Sequence, residues 1–154
     1  MPQGDFRVMD ARDLSGLDSG RFDMVFFSFN GIDYIPDRAG RQRCLNEVAR
    51  VLKPGGVFAY SSHNLWGLWS NRDARRILRR NFATLLRGGR FLRERSSHWA
   101  VTLYHGTLAS EAEDLRDAGM ELLQIITPER AYLPADASWQ CRDHWPYYVA
   151  KRAA

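Results

Sequence analysis

Hydrophobic positions fall in short runs separated by turn-forming residues, and the period within the runs changes along the chain. Phe6 to Met9 is a candidate strand that gives way to the polar stretch Asp10-Ala11-Arg12-Asp13. After a turn spanning Gly16 to Gly20, Asp23 to Phe29 is a second, strongly apolar strand that ends at Asn30-Gly31. From about Arg38 to Leu52 the period becomes helical, with Leu45, Val48, Ala49 and Leu52 on one face. Lys53-Pro54-Gly55-Gly56 stops that helix, and Val57 to Ser61 resumes as a buried strand. This order predicts parallel pairing of 23–29 with 57–61. Sheets of that kind bind ligands beyond the carboxyl ends of their strands, here at Asn30-Gly31 and around His63.

Beyond His63 the pattern is less regular. Leu65-Trp66-Gly67-Leu68-Trp69 is bulky and apolar; Ser70 and Asp73 fit a capping box, and the Arg-rich helix they open is expected to end at Gly88-Gly89. Arg90 to Tyr104 has broken alternation and reads as one or two strands or an irregular cover. Ser110 and Glu113 fit another capping box for a helix carrying Leu115 and ending at Ala118-Gly119. Met120 to Thr127 and Trp145 to Lys151 are the last strands, with Pro146 near the start of the second, where a missing donor is tolerated.

The 154 residues, 45% hydrophobic, suffice for one domain with a sizeable core and are too few for two ordinary ones. Five Trp, six Tyr and eight Phe argue against disorder, and no apolar run approaches the roughly 18 residues of a membrane span. Cys44 and Cys141 offer neither metal spacing nor a disulfide framework; two free thiols and a reducing, cytoplasmic setting are expected. The formal charge is +4, yet 72–95 holds nine Arg against Asp73 and Glu94, a local +7 that leaves −3 for the remainder. Such a patch could steer an anionic partner. A solvated helix face explains it more cheaply, and without an interleaved set of aromatics nucleic acid is not the expected partner.

The ordered elements Asp10-Ala11, Phe22-Asp23, Leu52-Lys53-Pro54-Gly55-Gly56 and Val57 to Ser61 resemble the later motifs of class I S-adenosylmethionine-dependent methyltransferases. Gly106 to Thr127 and Trp145 to Arg152 are similar to that family's final helix and antiparallel strand pair. The resemblance implies an α/β fold: a truncated Rossmann-like methyltransferase sheet with a terminal antiparallel strand pair and a helical insertion. One domain is expected over residues 1–154, incomplete at its N-terminus, with 64–106 inserted as a substrate cover or interface. The family's glycine-rich cofactor loop and the acidic residue for the ribose fall before the element like Phe6 to Asp10, and neither role can be assigned by spacing to Gly4, Asp5, Gly16 or Gly20. Val25 and Phe27 are then expected on an open strand edge, which a homo-oligomer, a separately encoded N-terminal portion or a rearranged first strand would cover.

The resemblance implies S-adenosylmethionine as cofactor, with Asp10 accepting from the adenine amino group and Ala11 facing the ring with its backbone N–H. A turn or helix cap is the plain alternative for Asp10. Phe29 and Asn30, at the end of the central strand, are candidates for packing against adenine and bonding to cofactor or substrate; a core Phe and an Asx turn are the alternatives. Asp33 is a candidate acceptor contact, Tyr34 a candidate aromatic wall, and His63 the leading candidate for proton chemistry, since imidazole takes protons near neutral pH. A structural histidine held by Ser62 or Asn64 is the competing reading. His98, His105 and His144 lack helix-face or metal spacing and carry less weight. Trp66, Trp69, Trp99 and Tyr104 form a candidate lid, or else core or interface packing, and the acceptor expected is a small molecule. A noncatalytic binding or scaffold protein is the alternative to an enzyme.

Overall fold

The computed structural model describes residues 4–69, 72–95, 100–127, 133–134 and 141–154. Strand β1, Phe22–Phe27, leads through a 3-10 turn at Gly31–Tyr34 into helix α1, Arg38–Val51. Asp37 caps α1, its side chain accepting from the Gly40 N–H at 2.7 Å and so satisfying one of the donors a helix start leaves unpaired. Leu52 is extended, and Pro54 cannot donate a helical bond, so the chain passes directly into β2, Leu52–Ser61. A two-residue strand β3, His63–Asn64, follows. Then come a 3-10 segment at Leu65–Trp69, helices α2, Arg72–Arg80, and α3, Phe82–Leu86, and strands β4, Phe91–Arg95, and β5, Ala100–Gly106. Helix α4, Leu108–Asp117, and strands β6, Met120–Ile126, β7, Leu133–Pro134, and β8, Tyr147–Arg152, complete the order.

The main sheet runs β1-β2-β8-β6-β7. β1 pairs parallel to β2, with Val25 opposite Phe58 and Phe27 opposite Tyr60, as the strand–helix–strand pattern predicts. β8 lies antiparallel between β2 and β6, which supplies the terminal antiparallel pair. Helices α1 and α4 cover the face that presents Phe58, Tyr60, Tyr148 and Ala150, and the core lies there. The second sheet, β3-β5-β4, branches off where the chain leaves β2: Ser61 still pairs in the main sheet and His63 already pairs in the other, so Ser62 is the pivot between them. Leu65, Leu68 and Leu92 form a small core beneath it, against Ile77, Leu78 and Leu85.

Several expectations are corrected. Phe6 to Met9 is not a strand: Phe6 and Val8 project into solvent, and no described strand lies alongside to pair with them. β1 is an edge strand of the main sheet, as expected, but Val25 and Phe27 pack partly buried against the core, and the apolar residues of β1 that stand exposed are Met24 and Phe26 on the opposite face, because side chains alternate along a strand. The Arg-rich helix breaks at Asn81, whose amide donates to the carbonyls of Ile77 and Arg93 and accepts from the Arg93 N–H. Helix α4 is capped one turn earlier than expected, by Thr107, whose hydroxyl accepts from the Ser110 N–H while Ser110 bonds back to the Thr107 N–H. Ser70, His98 and Trp99 lie outside the described residues, as does the side chain of Trp69. No helix among the described residues is long and apolar enough to cross a membrane.

Candidate functional site

The pivot at Ser62 brings the carboxyl end of the β1–β2 pair against the second sheet, and a buried polar network fills the junction. At its centre is Asp33, fully buried on the turn after β1. Its Oδ1 accepts from Arg41 Nη1 and from the Ser62 hydroxyl, both at 2.8 Å. Its Oδ2 accepts from the His63 backbone N–H and faces His63 Nδ1, both at 2.7 Å. With four partners and no exposure, the Asp33 carboxylate is fully engaged within the protein and anchors His63.

Arg41 reaches this centre from α1, with Nη2 2.6 and 2.8 Å from the Glu111 carboxylate and its guanidinium 4.2 Å above the Tyr104 ring. Burial alone would lower the Arg41 pKa, but Glu111 and Asp33 outweigh it and hold the guanidinium charged. Glu111 also accepts from the Tyr60 hydroxyl at 2.6 Å. Burial pushes the Glu111 carboxyl up, opposed by Arg41, and pushes the Tyr60 phenol far above its ordinary range. Gly106 sits where a Cβ would collide with the Glu111 carboxylate, so only glycine lets β5 pass this close.

Because a carboxylate only accepts, Nδ1 is the His63 nitrogen that donates to Asp33, and in the neutral ring Nε2 then carries the lone pair. The β3–β5 register places His105 directly opposite His63, ring centroids 5.0 Å apart. His105 has its own carboxylate, with Nε2 2.9 Å from Glu94 Oε1, and this bond holds the Glu94 carboxyl below its usual range. His144 approaches from the segment before β8, 5.5 Å from His63, and Trp145 meets His63 edge-on. Asn64 fastens that segment: it is fully buried, its amide donates to the carbonyls of Asp143 and Cys141, and its backbone N–H bonds to the His144 carbonyl. Burial, with His63 and His105 adding to it, lowers the His144 pKa to about 4, so its ring is neutral near pH 7. Nδ1 of His105 and of His144 are buried without a hydrogen-bond partner. Among the described residues no group of three or more His, Cys, Asp or Glu side chains could hold a metal ion.

Spacing along the chain gave His105 and His144 little weight, because what joins them to His63 is strand register and a returning tail. For Arg41 and Glu111 a signal was present. Arg41 shares the apolar face of α1 with Leu45 and Val48, and Glu111 that of α4 with Leu108 and Leu115, and a charge on a buried stripe points to a partner. Phe29 and Asn30 both adopt left-handed backbone at the end of β1; the Phe29 ring is 90% exposed, and the Asn30 N–H donates to the Ser61 hydroxyl. They share this end of the sheet with Asp33 and His63. Asp10 is exposed, with both carboxylate oxygens taken by Arg12, which lowers its pKa to about 2, while Ala11 packs partly buried against the core. Of the candidate lid, Tyr104 is buried under Arg41 and Trp66 is half exposed; Tyr34 is exposed.

A sequence-family profile described as "Methyltransferase domain" matches residues 1–56. No curated protein matches the chain in sequence. Among solved structures, an S-adenosylmethionine-dependent methyltransferase from Methanosarcina mazei superposes with a TM-score of 0.69 at 18% identity, over 98% of this chain and 68% of its own. The CcbJ methyltransferase of Streptomyces caelestis gives 0.63 at 17% identity, over 96% and 63%. A structure of the Trm112 methyltransferase activator of Haloferax volcanii with a methyltransferase gives 0.59 at 19% identity, over 97% and 62%. The chain thus spans 62 to 68% of the length of these three. The fold is that of the Rossmann-like methyltransferases, with α1 and α4 on one face of a mixed sheet.

Proposed function

We propose that this chain carries the acceptor side of an S-adenosylmethionine-dependent methyltransferase site that acts on a small molecule and works with a partner, a second copy of itself or another chain. The observation that carries the reading is the buried Asp33–His63 pair at the carboxyl end of two parallel strands, the end at which α/β sheets of this kind bind their ligands. The cofactor, when bound, supplies an electrophilic methyl group. His63 Nε2 would take the proton from the acceptor's oxygen or nitrogen as its lone pair attacks, and Asp33 would orient the ring and stabilise its protonated form. The neutral His144 and the unpartnered Nδ1 of His105 would accept hydrogen bonds from the acceptor. Phe29, exposed at the strand end, fits an aromatic ligand ring, and Asn30, Asp10 and Ala11 would complete the adenine side. Segment 64–106 would cover the acceptor. Met24, Phe26 and Tyr147, bare on the sheet face away from the helices, support a partner or second copy, and two buried, unbridged cysteines support a cytoplasmic setting.

One observation favours a second reading, a noncatalytic binding or scaffold protein: Arg12 occupies both oxygens of Asp10, so an adenine amino group would have to displace it. Calorimetric titration of the purified chain with S-adenosylmethionine, alone and with any copurifying partner, separates the two. Saturable binding that weakens in Asp10→Ala supports the enzyme, and no heat in either preparation supports the scaffold. In a binding-competent preparation, His63→Ala is expected to slow single-turnover methylation roughly 100-fold or more while leaving cofactor affinity nearly unchanged. Equal rates would remove His63 from the chemistry.

A further inference from the structure

Arg75, Arg76, Arg79 and Arg80 of α2 and Arg93 and Arg95 of β4 have no role in the site above and no acidic partner among the described residues. Arg75, Arg76, Arg79, Arg80, Arg87, Arg93 and Arg95 are exposed, and none forms a salt bridge with a carboxylate among the described residues. On α2, Arg75 lies one turn from Arg79 and Arg76 one turn from Arg80, a like-charge spacing that weakens a helix unless an anion intervenes.

Two adjoining hollows run along this face. One, about 370 Å³, is lined by Arg75, Arg76, Arg79 and Arg80; the other, about 310 Å³, by Arg80, Asn81, Arg93 and Arg95, so that Arg80 belongs to both. Asn81 makes the second hollow a built feature. Buried at the break between α2 and α3, it clamps the Arg93 backbone on the open edge of β4 and fixes the α2 row against the β4 row. Glu94, the acid between Arg93 and Arg95, points to the other side of β4, toward His105. Immediately after the clamp in sequence, at the start of α3, Phe82 is 62% exposed.

We propose that this face binds a single strand of nucleic acid, its phosphates following the guanidiniums from α2 across Arg80 to β4 and a base stacking on Phe82. Two hollows sharing one arginine suit a chain of repeated negative charge better than a single small anion. Guanidinium forks match phosphate oxygens in pairs, and an exposed ring on the residue that follows Asn81 offers an unpaired base a stacking surface. The site is independent of methyl transfer, so its test needs no cofactor.

The probe is a fluorescein-labelled oligothymidylate of about twelve nucleotides, titrated with the full chain and read by anisotropy between about 50 and 200 mM salt. Binding is expected, with log Kobs falling against log salt at a slope of about −2, the release expected when roughly three phosphates are neutralised. The double variant Arg93→Gln, Arg95→Gln, both exposed and without a carboxylate partner among the described residues, should bring the slope about 1.4 closer to zero. Phe82→Ala should weaken binding roughly tenfold with the slope unchanged. Absence of binding at the lowest salt, or wild-type slopes in the arginine variant, would overturn the proposal. So would equal affinity for polyglutamate (indifferent attraction to negative charge), displacement by inorganic phosphate at the same phosphate concentration (a small-anion site), or equal affinity for the duplex (no role for an unstacked base).

Discussion

The two faces of the main sheet differ sharply in what covers them. Toward α1 and α4, Phe58, Tyr60, Tyr148 and Ala150 are closed over, and even charged groups are committed: Arg41, 1% exposed, is held by Asp33 and Glu111, both at 0%. On the other face, Met24 and Phe26 are 56% and 57% exposed, with Tyr147 stacked beside Phe26. The same strands supply both faces, so the difference lies in what covers them. A closed face turns a charge into a structural element, because in low dielectric it cannot persist without its partner. An open apolar face of this kind marks an interaction site in many proteins.

The contrast breaks most severely at Arg41. Replacing it with Met leaves Asp33, Glu111 and Asp114 buried together, and a loss of about 3 to 5 kcal/mol is expected in urea unfolding. A cost under about 1 kcal/mol would mean that water reaches the network. Next in size is His144, faced by His63, His105 and Glu94. Its folded pKa, about 4 against an ordinary 6.5, means that the unfolded chain binds its proton more tightly. Stability from this group is present above pH 6.5 and is lost as pH falls toward about 4. Glu111, shifted upward, works in the opposite sense, favouring the fold at low pH and losing that contribution as pH rises through its folded value. His144→Gln should therefore flatten the acid limb of a stability–pH curve by at most one proton's slope, about 1.4 kcal/mol per pH unit; an unchanged limb would assign the acid sensitivity to other groups. The smallest effect on the monomer belongs to the open face. Phe26→Ser should change stability by no more than about 0.5 kcal/mol and reduce self-association or partner capture in sedimentation. A loss of several kcal/mol would show that the face is internal to the monomer after all.

What the sequence revealed follows the same division. The strands on either side of Leu-Lys-Pro-Gly-Gly, the helix between them and the parallel pairing were legible because each depends on a local period or a breaker. His63 was legible as a strand-end residue. Its surroundings were not, since Asp33 reaches it across a turn, His105 through the register of a second sheet, and His144 from 81 residues downstream. The strand read into Phe6 to Met9 failed because alternation describes a residue pattern, and a strand also needs a neighbour.

Asn64 fastens the tail that carries His144, and this hydrogen bonding sets a schedule for the site. Strands β1 and β2 and helix α1 can pair as soon as they leave the ribosome, because their contacts span few residues. The histidine cluster closes a loop of some eighty residues and must wait until His144 has been synthesised. A growing chain therefore carries the β1–β2 pair before it carries His63 among its ring neighbours, and whatever this cluster does is withheld until His144 has emerged.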